Sequence, residues 1–210
     1  MGILERKERE KQQRRADIMQ AAKEVFFAKG LISATMDEIA IKAELSKGTL
    51  YLYFQSKEEL YLSLLHEGDN IFMEMMQKEL LPSLSAEELI WKTAHVYYEF
   101  YKQYPDYFKI TYQLHLGDLR NKVTPELYES CMSQAKEMLR MIEGIIQKGI
   151  GEGTFRKVDA WKMTLNLWAT AYGIFFLCSE KSHKEFMRTI DEKALLNHAI
   201  DIYMEGLKKK

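Results

Sequence analysis

The sequence predicts an all-α protein with a small N-terminal domain and a larger C-terminal one. Apolar residues recur with a helical period, and no run alternates apolar with polar residues for long enough to form a sheet. The 210 residues include only three prolines, which break helices. Residues 1–57 carry 11 Lys/Arg against 8 Asp/Glu, and residues 58–210 carry 19 against 23. We therefore expect a domain at 1–57 that includes a charged arm, and another at 58–210 that begins with a connecting helix at 58–80.

Local signals predict three helices in the first domain. The first extends from about Arg14 to Lys29 and ends at Gly30, a residue suited to the left-handed end of a helix. Capping boxes, in which a hydroxyl and a carboxylate satisfy unpaired backbone N–H groups, begin at Thr35 and at Ser56. Between them we expect helices over 36–43 and 46–54, joined by a very short turn.

The second domain is predicted to be helical throughout. Pro82 ends the connecting helix, and Ser85 and Thr124 each provide a helix start. The apolar spacing predicts further helices at 86–103, 105–115, 125–148, 158–180 and 184–208.

Two short helices joined by a tight turn form a helix-turn-helix, which places its second helix in the major groove of DNA. In that helix Leu50, Tyr53 and Phe54 can pack on the first helix, whereas Gly48 and Leu52 point outward. Gly48 permits close approach of the backbone, and the helix start offers hydroxyl, amide and ammonium groups. The candidate DNA contacts in this pattern are Ser46, Lys47, Gly48, Thr49, Tyr51, Leu52, Tyr53 and Lys57.

Taken singly, these tyrosines could be ordinary half-buried aromatics and the lysines solvated charges. In combination they resemble the TetR family of bacterial regulators. The resemblance covers about 45 residues and rests on Ala28-x-Gly30, Thr35-Met36-x-x-Ile39-Ala40, Ala43, Leu45-Ser46-Lys47-Gly48-Thr49-Leu50-Tyr51-x-Tyr53-Phe54 and Ser56-Lys57-Glu58-Glu59-Leu60. It implies that the second helix reads the major groove. It further implies DNA contacts, mainly with phosphates, at Thr35, Thr49, Tyr51, Tyr53 and Lys57.

Two positions depart from the family pattern. Glu44 occupies the turn, where the family usually has a glycine because the backbone favours positive φ, so we expect some strain there. Leu52 stands where polar or aromatic residues are more usual, and contact with a thymine methyl group is the role we expect if it reaches the bases.

The charged arm has two interpretations. The segment from Glu5 to Arg15 contains six basic and three acidic residues and could follow a minor groove or flanking phosphates. Acidic residues also precede basic ones by four positions, as in Glu5 with Arg9, which is typical of a solvated helix. The sequence leaves both interpretations open.

Aromatic residues in the second domain predict a site for a small lipophilic or aromatic molecule. They exceed an ordinary core stripe, and few charged residues accompany them. Ordinary core packing is the alternative for any one of them. The candidate ligand contacts are Tyr98, Tyr101, Tyr112, Trp168, Tyr172 and Phe175.

The helix at 158–180 has two apolar seams, which requires two packing partners. We assign the larger, aromatic seam to the interior and the seam of smaller residues to a second subunit. Family resemblance implies the same arrangement, because these regulators usually dimerise through their last two helices. The candidate dimer contacts are Met163, Leu167, Thr170, Ile174, Leu177, Leu196, Ile200, Tyr203 and Leu207.

Other functions have weaker support in the sequence. The glycines at 149–153 follow a helix rather than a strand, so they indicate a helix end and not a phosphate-binding loop of an enzyme. The histidines and the two cysteines lack metal-ligand spacing, and the composition predicts a cytoplasmic protein without a signal peptide or membrane span and without a cofactor. We expect a homodimeric repressor that leaves a palindromic operator in double-stranded DNA when a hydrophobic effector binds. The alternative is an all-α dimeric binding or scaffold protein without DNA binding.

Overall fold

The computed structural model of the protein describes residues 2–112, 119–179 and 183–209, except the side chains of Ile3, Tyr112 and Lys184. Within these ranges the chain forms helices and one isolated β-bridge, from Phe155 to Lys208, which confirms the all-α prediction. The helices are α1 (Ile3–Ser33), α2 (Met36–Lys42), α3 (Lys47–Tyr51), α4 (Lys57–Glu79), α5 (Ala86–Gln103), α6 (Pro105–Tyr112), α7 (Pro125–Gly151), α8 (Ala160–Ser179), α9 (Lys184–Met187) and α10 (Glu192–Leu207).

The chain divides into two compact units. Unit 1 comprises residues 1–68 and 110–132, and unit 2 comprises residues 69–109 and 133–210. This division differs from the boundary predicted after Lys57, which was drawn around the expected DNA-binding region and stays a prediction. None of the described helices is both long and apolar enough to cross a membrane.

The core of unit 1 brings together one face from each of its first four helices. Ile18 and Phe26 of α1, Ile39 of α2, Leu50 of α3 and Tyr61 of α4 are at most 1% exposed. The rings of Phe26 and Tyr61 meet edge to face with centroids 5.2 Å apart. Each such side chain contributes about 2 kcal/mol through burial. This packing holds the short helices α2 and α3, which would not be stable alone.

The first helix differs from the prediction at its start and agrees with it at its end. Helix α1 begins at Ile3 rather than near Arg14, because the charged segment forms helical contacts such as the ion pair of Arg6 with Glu10, 2.8 Å long. At Gly30 the backbone adopts φ 71°, which interrupts the helix where the sequence predicts it.

In unit 2, α10 packs against α8 and α5. The predicted helix over 184–208 is wrong, since two helices occupy that range. Asp191 separates them because its carboxylate accepts a hydrogen bond from the amide of Ala194 at 2.9 Å and caps a new helix start. The glycines at 149–153 form the predicted helix end and turn. A Cβ on Gly149 would lie 2.2 Å from the ring of Phe155, so glycine is required there.

Candidate nucleic-acid interface

Side-chain caps fix the starts of α2 and α3. The Thr35 hydroxyl accepts a hydrogen bond from the amide of Glu38 at 3.2 Å, and the Glu38 carboxylate accepts one from the amide of Thr35. The Ser46 hydroxyl accepts a hydrogen bond from the amide of Thr49 at 3.1 Å and also contacts the Thr49 hydroxyl at 2.8 Å. The predicted capping box at Thr35 is confirmed, and both hydroxyl groups lie at an exposed helix start.

The turn between α2 and α3 carries the strain that the sequence predicts. Glu44 has φ 55°, and among the described residues it is the only non-glycine with positive φ. A side chain with a Cβ pays about 1 kcal/mol or more for this conformation. The turn therefore keeps the backbone geometry that favours glycine, and the glutamate is accommodated at a cost.

The outward side of α3 forms an exposed surface, here called the α3 surface, that consists of Ser46, Lys47, Gly48, Tyr51 and Leu52. Leu52 is 84% exposed and Tyr51 is 43% exposed, so both side chains are available to a partner. A Cβ on Gly48 would have 3.9 Å of clearance from the Ser46 hydroxyl, so the fold itself does not require glycine. These features suit a surface that an external partner approaches closely.

A shallow groove brings together four of the predicted DNA contacts, namely Thr35, Lys47, Tyr51 and Lys57, with Gln55 beside them. Lys47 forms a 2.7 Å ion pair with Asp37, whose hydrogen bond and charge raise the pKa of the ammonium group. Both partners are exposed, so a phosphate can compete with Asp37 for this lysine. Gln55 was not among the candidates from the sequence. Its position directly after Phe54, at the end of the helix-turn-helix, is the only feature of the sequence that could have indicated it.

Lys57 is bound within the chain. Its ammonium group donates to the carbonyl oxygens of Leu31, Ile32 and Ala34 at 2.9, 3.2 and 3.0 Å. These bonds use all three donors of the ammonium group and fix the segment between α1 and α2. The contacts give Lys57 a structural role in addition to, or in place of, the predicted contact with phosphate.

Arg15 is a contact that sequence reasoning missed. Its guanidinium group lies 4.1 Å from the ring centroid of Phe54 and donates to the carbonyl oxygen of Tyr53 at 3.4 Å. Tyr53 itself is half-buried. The interaction joins the charged part of α1 to the segment that follows α3. A cation and an aromatic residue 39 positions apart leave no periodic signal in a sequence.

Unit 2 contains an aromatic cluster, defined here as Phe72, Tyr97, Phe100, Tyr101, Phe108 and Phe175. The rings of Tyr101 and Phe175 stack with centroids 4.6 Å apart. Asp69 lies close enough to Tyr97 for its charge to contribute to the raised pKa of that phenol, which is mainly due to burial. Burial raises the pKa of the Asp69 carboxyl to about 6. The cluster is therefore mainly apolar, with Asp69 near Tyr97 and with the Glu192 carboxylate accepting a hydrogen bond from the Tyr101 hydroxyl at 3.1 Å.

The predicted ligand contacts separate in the structure. Tyr101 and Phe175 belong to the aromatic cluster, and Tyr98 lies beside it with its ring 6.2 Å from Phe175. Trp168 is 43% exposed and packs on Tyr172 at 5.7 Å, so it faces outward rather than into the interior. The side chain of Tyr112 lies outside the described residues.

The predicted dimer contacts also separate. Leu167, Ile174, Leu196, Ile200 and Leu207 are at most 9% exposed, so their own subunit covers the surface that the prediction offers to a partner. The buried residues of α8 include Phe175 from the predicted aromatic seam as well as Leu167 and Ile174 from the predicted dimer seam. Leu177 remains exposed and Met163 is half-exposed, while the Thr170 and Tyr203 hydroxyl groups meet at 2.7 Å. The exposed Ile202 was missed.

The described residues contain no group of three or more His, Cys, Asp or Glu side chains that could hold a metal ion. Cys131 is buried, and its thiol contacts the carbonyl oxygen of Leu62 at 3.8 Å. Burial raises the pKa of the Cys178 thiol, which keeps it protonated and unreactive near neutral pH. Neither arrangement indicates a catalytic site.

Comparisons with known proteins agree with this geometry. Residues 18–64 match the family model described as bacterial regulatory proteins, tetR family. The chain is 27% identical over 153 residues to a fatty acid metabolism regulator protein of Bacillus subtilis, which covers 71% of this chain and 74% of that protein. It is 26% identical over 144 residues to the HTH-type transcriptional repressor NicS of Pseudomonas putida, covering 68% of this chain and 66% of that one.

A solved structure shares the fold. The transcriptional regulator FadR of Bacillus subtilis, solved in complex with stearoyl-CoA, aligns with a TM-score of 0.71 at 24% identity, covering 91% of this chain and 98% of that one. The match of the family model falls on the helices that position the α3 surface. Residues 18–64 therefore form a helix-turn-helix segment of the tetR family type, and the similar proteins support a ligand-responsive, DNA-binding regulator of transcription.

Proposed function

We propose that the protein is a homodimeric repressor that binds a palindromic operator through the α3 surface and leaves it when a lipophilic molecule binds unit 2. The α3 surface carries this proposal, because it exposes Gly48, Tyr51 and Leu52 without a reason in the fold. Ser46 and Lys47 on this surface offer a hydroxyl and an ammonium group as donors for phosphate oxygens, and the Thr35 hydroxyl beside it offers another. Contact with a thymine methyl group is the role we propose for the exposed Leu52.

Dimer formation follows from the size of the α3 surface. A single helix of five residues reaches too few bases for useful specificity, whereas two copies related by a two-fold axis double the number. The partner surface we propose consists of the exposed faces of α8 and α10. Leu177 and Ile202 are 37% and 57% exposed, and Ala169 and Gly173 are small enough for close helix contact. This assignment replaces the buried residues of the predicted seam.

We propose that the effector contains a long-chain acyl group, either as a free fatty acid or as its thioester with coenzyme A. The aromatic cluster offers apolar surface and little charge, which suits a lipophilic ligand. The likeness to the fatty acid metabolism regulator of Bacillus subtilis supports the acyl class, and the likeness to the repressor NicS supports repression. An acyl chain would have to separate the rings of the cluster, and this would displace Phe72 on α4.

This displacement would give a route from effector to DNA. Helix α4 is continuous from Lys57, at the groove beside the α3 surface, to the aromatic cluster at Phe72. A ligand that moves α4 changes the position of the helix-turn-helix. Coupling of the usual size, about 1 to 3 kcal/mol, weakens operator binding roughly 5- to 150-fold.

Selection of duplexes from a random pool by the purified protein tests the DNA part of the proposal. We expect an inverted repeat, with binding that weakens steeply as salt rises. Leu52→Ala should change the base preference at particular positions, while Lys47→Ala should weaken binding to all sequences. Failure to enrich any duplex would show that the protein lacks specific DNA binding.

Titration of the operator complex with palmitoyl-CoA, palmitate and free coenzyme A tests the effector. We expect release by the two acyl compounds and no release by coenzyme A alone. Release by coenzyme A would place recognition on the nucleotide, and release by none of the three would exclude the acyl class. Sedimentation velocity of the free protein tests the dimer.

A further inference from the structure

The N-terminal turns of α1 extend as an exposed helix. Every side chain from Leu4 to Asp17 is exposed, and the core of unit 1 begins only at Ile18. Apart from the contact of Arg15 with Tyr53 and Phe54, this segment gains little stability from packing. Its charged, exposed surface is therefore the feature that calls for an explanation.

The charges of this segment are sorted between its faces. Arg6 pairs with Glu10 at 2.8 Å, and Gln13 donates to Asp17 at 2.9 Å, so the acidic groups are occupied on one side. Lys7, Lys11 and Arg14 form no ion pair or side-chain hydrogen bond with any residue in the described part of the chain. Their spacing of four and three residues places them on one helix face. We name this set the basic stripe.

The basic stripe points to the same side of α1 as the core of unit 1. Ile18 follows Arg14 by four residues, so the stripe continues the buried face of the helix beyond the core. Arg15 lies next to the stripe in sequence and contacts Tyr53 and Phe54, directly after α3. Lys7 lies about 12 Å along the helix axis from Arg15, a length of three to four base-pair steps.

We propose that the basic stripe binds the sugar-phosphate backbone of operator DNA beside the bases that the α3 surface contacts. The proposal rests on the proposed DNA binding and adds a second contact region to it. Lysine and arginine side chains without an ion pair match a polyanion, and Glu10, the acidic neighbour of both Lys7 and Arg14 on the helix, is already paired with Arg6. The segment is a helix about 10 Å wide with its side chains, which exceeds the 6 Å minor groove and favours contact with phosphates over insertion between base edges.

The test compares two variants of the full chain that each lose two positive charges from the same helix. Lys7→Ala with Lys11→Ala removes two members of the basic stripe, and Arg6→Ala with Arg9→Ala removes two cations from the other faces. Affinity for the selected operator is measured from 0.05 to 0.3 M salt. We expect the first variant to bind at least tenfold more weakly at 0.15 M salt, with a salt slope lower by about 2 per protomer, and the second to change both far less.

Phosphate-ethylation interference locates the lost contacts. In the Lys7/Lys11 variant, interference should disappear at phosphates beside the half-site and persist at those lost in Lys47→Ala. Equal losses in both double variants, or a normal salt slope in the Lys7/Lys11 variant with unchanged circular dichroism, would overturn the proposal. If the unaltered protein bound no duplex in a salt-dependent way, the proposed DNA function itself would fail.

Discussion

The α3 surface and the outer face of α8 both expose large apolar side chains, but their surroundings differ. Leu52 and Tyr51 lie at the end of a short helix whose start carries hydroxyl and ammonium groups, and Gly48 of that helix is a glycine that the fold does not need. On α8, Leu177 is 37% exposed and shares a helix face with the small residues Ala169 and Gly173, on a helix that carries no acidic residue and one lysine. Apolar groups among polar donors suit the edge of a nucleic acid groove, whereas a large apolar group beside small residues suits another protein surface. Exposure alone does not identify a partner, and the neighbouring groups do.

A charge on the buried face of α8 should affect folding, whereas a charge on the exposed face of α10 should affect only dimer formation. Leu167→Glu puts a carboxylate at a site that is 7% exposed and should cost more than about 4 kcal/mol in the free energy of unfolding. Ile202→Glu, at a site 57% exposed, should leave the helical content unchanged and yield monomers. Circular dichroism and sedimentation velocity measure the two effects. A folded monomer from Leu167→Glu would show that α8 is placed incorrectly.

The half-buried Asp69 of unit 2 has no counterpart at the α3 surface and should make stability depend on pH. Burial raises the pKa of the Asp69 carboxyl to about 6, above its value in the unfolded chain. Stability from this group is therefore complete below pH 4 and is lost as pH rises through 6, by about 3 kcal/mol. Asp69→Asn should gain stability relative to the unaltered protein at pH 8 but not at pH 4 in urea unfolding. Asp201→Asn, at an exposed site, is the control and should show no such pH dependence.

Two lysines beside the α3 surface should respond differently to removal. Lys57→Ala leaves the three carbonyl oxygens of residues 31, 32 and 34 without a charged donor and should lower the free energy of unfolding by about 2 kcal/mol. Lys47→Ala removes an exposed pair with Asp37 and should change stability by less than about 0.5 kcal/mol while weakening DNA binding. If Lys57→Ala left the melting curve unchanged, its structural role would be wrong and the predicted phosphate contact would regain support.

Two helical glycines provide a matched test of close approach. Gly48→Ala has space for its methyl group and should raise stability by up to about 1 kcal/mol, yet weaken operator binding about tenfold because DNA needs that space. Gly149→Ala meets the ring of Phe155 and should lower stability instead. Thermal unfolding and operator titration of both variants check the contrast. Normal DNA binding by Gly48→Ala would show that DNA does not approach the α3 backbone closely at Gly48.

The smallest expected effect concerns the turn before α3. Glu44→Gly relieves a backbone with φ 55° and should stabilise unit 1 by about 1 kcal/mol. Operator affinity should change little, because the turn keeps its geometry. Urea unfolding measures the gain, and a loss of stability would mean that the glutamate side chain makes compensating contacts.

Local chemistry explains why the helix-turn-helix could be predicted closely. The cap at Thr35, the break at Gly30 and the strained turn at Glu44 are each properties of a few adjacent residues, and the structure shows each where the sequence places it. The roles of Lys57 and Arg15 could not be predicted. Their partners, the carbonyl groups of residues 31–34 and the ring of Phe54, come close only after α1, α3 and α4 have packed.

The sequence by itself therefore determined the fold class and the position of the helix-turn-helix that the tetR family model matches, because helix periodicity and capping are encoded over short distances. The tertiary structure decided which side of each apolar helix lies inside. On α8 apolar residues occupy most of the helix circumference. The sequence pattern therefore does not distinguish whether Leu167 or its neighbour Trp168 is buried. Only the packing of α10 against α8 and α5 buries the first and leaves the second exposed.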